Sequence, residues 1–173
     1  MFNNILVPVD GSGPASNALG FGIDLAKRYD ASIMIAHVQL RGSSLDILRH
    51  TAEAYGFIED VQRDFEDVQL IPTAGGPLVG VPMVVIPDDL SEKVGRLLLS
   101  RILADVRASG IEDSATRLLD GSPARAILEL AAETNTDLIV IGSRGHGNLT
   151  ALVMGSVSHK VAQDSPCPCL IVK

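Results

Sequence analysis

The sequence predicts an α/β domain: a doubly wound, five-stranded parallel sheet of order 3-2-1-4-5, helices on both faces, and a long insertion after the second strand. Three observations lead there. Short aliphatic runs alternate with stretches of helical apolar spacing at both ends of the chain, which builds βαβ units. The run at 137–141 is almost wholly aliphatic, as a strand covered on both faces requires. The chain has 173 residues, enough for one well-buried core. Right-handed, uncrossed connections then give the order.

Residues 5–9 form a short apolar run that ends in Asp10-Gly11-Ser12-Gly13, a buried strand entering a turn. Pro8 sits awkwardly there, because a central strand needs its N–H groups; a place near the strand's end softens the conflict. Pro14 opens a helix whose one face carries Ala15, Ala18, Leu19, Gly22, Leu25, Ala26 and Tyr29. Residues 32–38 are a second strand. Between 90 and 106, Leu90, Val94, Leu97, Leu98, Ile102 and Val106 recur at helical spacing. Residues 115–119 are a short strand. Ser122-Pro123 then supplies an N-cap and first-turn proline for a helix with Ile127, Leu128 and Ala131 inside. After 137–141 come a glycine-rich loop, a helix over 156–163 and a last strand, 169–172.

The chain reads as one domain, 1–173, with an insertion of about 39–88 that is too long for an ordinary connection. Its first part, 44–67, predicts one or two amphipathic helices broken at Gly56. Its second part, 68–87, carries no charge and holds Pro72, Pro77, Pro82 and Pro87. Prolines at that spacing forbid a membrane-spanning helix and predict an extended hairpin or arm. The arm either folds over its own core or meets a partner through Leu78, Val79, Val81, Met83, Val84 and Ile86.

Composition removes several function classes. Fourteen Lys and Arg against 21 Asp and Glu give a net charge of −7, the wrong sign for nonspecific contact with nucleic acid or anionic lipid. Aromatic residues are 3% of the chain, too few for base-stacking platforms. Cys167 and Cys169 lie at the edge of disulfide reach in a strand and lack the further ligands of a zinc site, so they read as reduced core residues. Glu59, Asp60, Asp64, Glu66 and Asp67 read as a solvated face rather than a metal cluster. The start of the chain shows no cationic leader, and cytoplasm is the expected location.

The strand order places its switch point between the first and fourth strands, where ligands bind beyond the carboxyl ends. The loops there, 10–13 and 142–155, are the glycine-richest turns of the core. Gly142-Ser143-Arg144-Gly145-His146-Gly147, then Gly155-Ser156-Val157 at a helix start, offer backbone N–H groups, a helix dipole and a hydroxyl. No acidic residue lies between 142 and 163, which favours an anion site over a plain connection. There is no P-loop, no dinucleotide fingerprint after the first strand and no Ser-Gly-Gly of a PP-loop enzyme. The acidic pair of a phosphate-accepting response regulator is missing as well.

With those residues in view, the chain resembles the universal stress protein family, specifically its ATP-binding branch. Ile5-Leu6-Val7-Pro8-Val9-Asp10-Gly11-Ser12 resembles the family's opening. Gly142-Ser143-Arg144-Gly145, nine residues and then Gly155-Ser156 match its nucleotide motif, G-x2-G-x9-G-[ST], at every fixed position. The resemblance covers about 3–38 and 90–173. It implies ATP as ligand in a site that includes Pro8 and Val9, and Asp10 is placed to hold an accompanying Mg²⁺ through water, which keeps slow hydrolysis open. Asp10 is implied to accept hydrogen bonds from the ribose, and Val38 to meet adenine through its main chain. Gly142 and Gly145 are implied to approach ribose and phosphates; Gly155, Ser156 and Val157 are implied to hold the phosphates. The family also dimerises through its last strand, here Cys169–Val172, and the 68–87 arm is a second candidate contact.

Other readings stay open. Asp10 is also a fit cap for its turn. Arg144, assigned to the site, and His146 are open to two readings, phosphate contacts or solvated loop residues. His37 reads as a packed strand-end histidine, and His159 and Lys160 as helix surface. No residue is assigned a catalytic or metal-binding role, since neither a general base nor a lysine is evident for phosphoryl transfer. The expectation is therefore a nucleotide-binding regulatory protein, with a slow ATP hydrolase or a nucleotide-dependent scaffold as alternatives.

Overall fold

The computed structural model describes residues 1–39, 44–71, 83–85, 88–146 and 154–173. Its main sheet holds five parallel strands: β1 (Asn4–Pro8), β2 (Ser32–Gln39), β5 (Ser114–Asp120), β6 (Leu138–Gly142) and β7 (Cys169–Val172). They lie in the order β5-β2-β1-β6-β7, which is 3-2-1-4-5 when the core strands alone are counted. Pro8 is the last residue of β1, and the next N–H, that of Val9, donates to the Ala36 carbonyl at 2.8 Å. The proline thus sits where the ladder no longer needs its donor.

Alternation along the strands sorts the core into two layers. Ile5, Val7, Ile33, Ile35, Leu138 and Val140 face one side. There they meet α1 (Gly13–Tyr29) through Ala15, Ala18 and Ala26, and α4 (Asp88–Ala108) through Leu90, Val94, Leu98, Ile102 and Val106. Leu6, Ala36, Val38, Ile139 and Ile141 face the other side, against Ile127, Leu130 and Ala131 of α5 (Pro123–Glu133) and Val161 of α6 (Ser156–Asp164). Every residue of β6 is buried, as the aliphatic run predicted. Ser122 stands at the N-cap of α5, but its hydroxyl makes no capping bond; Pro123 in the first turn marks the helix start instead.

The insertion's first part forms two helices, α2 (Leu45–Ala54) and α3 (Ile58–Glu66), separated at Gly56, whose φ of +69° a side chain would resist. Leu48, Ala52, Phe57, Val61 and Phe65 join the first layer, so these helices pack beside α4 on that face. Two of the acidic residues expected in solvent make ion pairs to α4: Asp64 with Lys93 at 2.7 Å and Asp60 with Arg101 at 3.6 Å. Both pairs are substantially exposed, so each contributes little. Strands β3 (Gln69–Ile71) and β4 (Met83–Val85) pair antiparallel, the base of the hairpin expected there. The arm between them, with Leu78, Val79 and Val81, and Ile86 beyond β4, lies outside the described residues. Among the described residues no helix is long and apolar enough to cross a membrane.

Candidate functional site

β1 ends at Pro8 and β6 at Gly142, side by side at the point where the strand order reverses. The connections from neighbouring strands leave toward opposite faces there, which opens a crevice. A cleft of about 360 Å³ fills it, inside the ~300–1,000 Å³ span of small-molecule sites. Every residue the sequence assigned to the site lines this cleft. Pro8, Val9 and Asp10 come from the end of β1, and Val38 from the end of β2. Gly142, Arg144 and Gly145 come from the loop after β6; Gly155, Ser156 and Val157 come from the start of α6.

The lining has two halves. Ala36, Val38, Ile47, Pro123, Ile127 and Ile141 make one half aliphatic. The other is backbone-rich, built from the loop after β6 and the first turn of α6. The opening N–H groups of a helix have no acceptor within it, and they carry the positive end of its dipole. Gly155 is the N-cap of α6 and the first turn holds no acid. Residues 147–153 of the loop lie outside the described residues.

Asp10 has both of the roles considered for it within reach. Its Oδ1 accepts from the Ser12 N–H at 3.0 Å and the Ser12 hydroxyl at 2.6 Å, while Ser12 Oγ caps α1 by accepting from the Ala15 N–H at 3.4 Å. The carboxylate therefore ties the turn to the helix, and its Oδ2 faces Gly145. A Cβ on Gly145 would collide with that oxygen. One on Gly142 would lie 2.8 Å from the Pro14 carbonyl. Both glycines are thus needed for close approach of the protein to itself, a constraint that the phosphate-cradle reading did not foresee.

Two histidines frame the end of β1. His37 Nδ1 donates to the Val9 carbonyl at 2.8 Å, and His146 Nε2 donates to the Asp10 carbonyl at 2.7 Å; carbonyls only accept, so each ring nitrogen must carry hydrogen. His146 is thus neither a plain solvated residue nor free to turn at will. Burial holds the His37 pKa below its ordinary 6.5, and the nearby His146 pushes the same way; the Val9 bond and the Asp10 charge oppose them. The base of the loop is held by Ser143. Its N–H donates to the Val172 carbonyl at 2.6 Å, and its carbonyl accepts from the Gly155 N–H at 2.9 Å and the buried Ser158 hydroxyl at 2.9 Å.

Sequence reasoning missed several lining residues. Ala36, Pro123, Ile127 and Ile141 were legible as core or helix start, but their half of the cleft was not. Ser158 carried a signal, a small polar residue facing inward on a short helix. Ile47 carried none, because it comes from the insertion. The described residues hold no cluster of three or more metal-ligating side chains. Cys167 and Cys169 are free thiols, half-buried against the second layer; burial and the neighbouring Cys167 push Cys169 up to about 11.

The profile of the Universal stress protein family matches residues 1–173. The universal stress protein YxiE of Bacillus subtilis (strain 168) is 32% identical over 177 aligned positions, covering 100% of both chains. The stress response protein NhaX of the same organism is 36% identical over 99% of this chain and 98% of the relative. Among solved structures, universal stress protein UspA from Lactobacillus plantarum superposes with a TM-score of 0.69 at 19% identity, covering 99% and 98% of the two chains. A universal stress protein in complex with cAMP gives 0.61 at 22% identity, covering 99% and 97%. The universal stress protein from Archaeoglobus fulgidus in complex with dAMP gives 0.60 at 18%, covering 100% and 98%. At those identities the superpositions establish the shared fold.

Proposed function

The chain belongs to the universal stress protein family, and on that premise we propose that it is an ATP-binding regulatory protein whose nucleotide lies at the switch point between β1 and β6. The observation that carries this reading is the divided cleft: an aliphatic half beside the N-terminus of α6, sized for a small molecule. A purine suits the first and phosphates the second. That two solved relatives of the same fold hold cAMP and dAMP supports an adenine nucleotide. The G-x2-G-x9-G-[ST] motif supports ATP among them.

In this reading the Val38 main chain meets the adenine, Pro8 and Val9 floor the cleft, and Asp10 uses Oδ2 toward the ribose while Oδ1 keeps the turn. Gly142, Arg144 and Gly145 flank the sugar and phosphates. Ser156 and Val157 hold the phosphates with N–H groups and the Ser156 hydroxyl, while Gly155, whose own N–H is given to the Ser143 carbonyl, leaves room for them at the N-cap. Asp10 is the single carboxylate in the described lining, so Mg²⁺ would come chiefly on the phosphates it accompanies. No lysine stands in that lining, which suits binding without rapid turnover. A homodimer through the free edge of β7, with the arm as a second contact, and a cytoplasmic stress response complete the proposal. The test is to denature purified protein and identify the released nucleotide by mass. ATP is expected; protein that remains empty even after incubation with millimolar ATP would overturn the assignment.

A further inference from the structure

The insertion does more than decorate the fold. One ridge of α2, extending one residue past its end, carries Ile47, Thr51 and Tyr55 at i, i+4 and i+8, which share a helix face. Each meets the cleft or the turn that forms its edge. Ile47 lines the cleft. Thr51, buried, packs on Gly11: a Cβ there would come within 2.9 Å of its Oγ1, and φ is +87°. Tyr55, half-buried, lies beside Ser16 in the first turn of α1. Thr51 also donates to the Ile47 carbonyl at 2.8 Å, and Leu48 and Ala52 anchor the adjacent face in the core. The ridge is therefore fixed at its far end by the turn after Asp10. Ile47 lies one helical turn, ~5.4 Å, further along, where it lines the cleft together with Ala36 and Val38 of β2.

We infer that α2 is a third wall of the cleft, and that Ile47 is the side chain through which this wall holds the base. The inference rests on the nucleotide reading above. Ile47 is half-buried, so a base lying between it and the Val38 side would remove the rest of its surface from water. An insertion helix would thereby set how tightly a shared fold binds its ligand.

The experiment compares Ile47→Ala with wild type for ATP and AMP, by competition against a fluorescent ATP analogue, alongside thermal unfolding. Removing three carbons from a side chain that the ligand covers corresponds to about tenfold weaker binding. The loss should be equal for ATP and AMP, which share the base, with the unfolding midpoint unchanged. Glu53→Ala, exposed on the same helix, should bind as wild type does. Ile47→Trp should fill the slot and exclude both nucleotides. Unaltered affinity in Ile47→Ala, a loss confined to ATP, or a loss that only tracks a lowered midpoint would each overturn the inference. Should Ile47→Ala fail to fold, Ile47→Val answers the same question with a loss of about threefold. A wild-type protein that binds neither nucleotide would instead condemn the proposed function.

Discussion

Gly155 joins two demands that normally agree. At φ −64° and ψ 151° it is an N-cap in extended geometry, where aspartate is among the better residues. An added Cβ would meet Ser158 Oγ at 3.3 Å and the backbone of Ser143 and Arg144 at 3.4 Å, close contacts that small shifts relieve. Gly155→Asp should therefore keep α6, while a carboxylate takes the place proposed for phosphate. ATP affinity should fall more than tenfold, above about 1.4 kcal/mol, with the circular dichroism of wild type. Unchanged affinity in the folded variant would remove Gly155 from the site. His37 gives a second expectation. Its pKa is lowered in the fold, so below an ordinary value of about 6.5 the unfolded chain takes up a proton that the native ring resists. Its contribution is whole above that pH and is lost as pH falls toward the folded pKa. His37→Gln, which can still donate to the Val9 carbonyl, should flatten the fall in urea midpoint between pH 7.5 and 5. Parallel profiles for the two proteins would refute the assignment.

Among the elements, β7 has a free side, and its register says what it offers there. Ile139 N–H donates to the Pro168 carbonyl and Ser143 N–H to the Val172 carbonyl. Alternation then turns the N–H and carbonyl of Cys169 and Ile171 away from β6, a row with no partner strand among the described residues and open to a second copy. Ile171→Pro would remove an outward donor and spare the ladder to β6. Sedimentation should show a wild-type dimer at tens of micromolar and a largely monomeric, folded variant. A variant as dimeric as wild type would exclude this edge. Elements with strong periodicity were legible in the sequence: β6, α1 and α4 follow their aliphatic spacing to within a few residues. What the sequence did not reveal are effects of contact across the chain. The Ser122 hydroxyl makes no capping bond despite its position, Gly142 and Gly145 serve packing against Pro14 and Asp10, and Ile47 enters the cleft from a segment that local pattern could not place.

At the scale of the molecule, the sheet order brings the predicted residues together: strands are added outward on one side of β1 as far as β5, and the next, β6, returns to the other side of β1. Site residues at positions 8–10, 38, 142, 144, 145 and 155–157 were readable from glycine spacing and a family resemblance; the aliphatic half depended on which helix lay over which strand. In the described lining Asp10 is engaged at Oδ1 by Ser12, His146 at Nε2 by the Asp10 carbonyl, and no lysine is present. Multiple-turnover assays with Mg²⁺ and ATP should accordingly give rates far below the ~1–100 s⁻¹ of kinases. Turnover within that range, abolished by Gly155→Asp, would make the protein an enzyme.

The clamp at Ser143 has an entropic consequence. Its carbonyl takes hydrogen bonds from Gly155 and Ser158, while its N–H is tied to the end of β7. The two ends of the long loop are thus brought together by the protein itself. Bringing such ends together in a free chain costs about 2 kcal/mol by the logarithm of the loop length. Here folding has already met that cost, so a ligand arriving at the helix start meets a closed ring and need not close it.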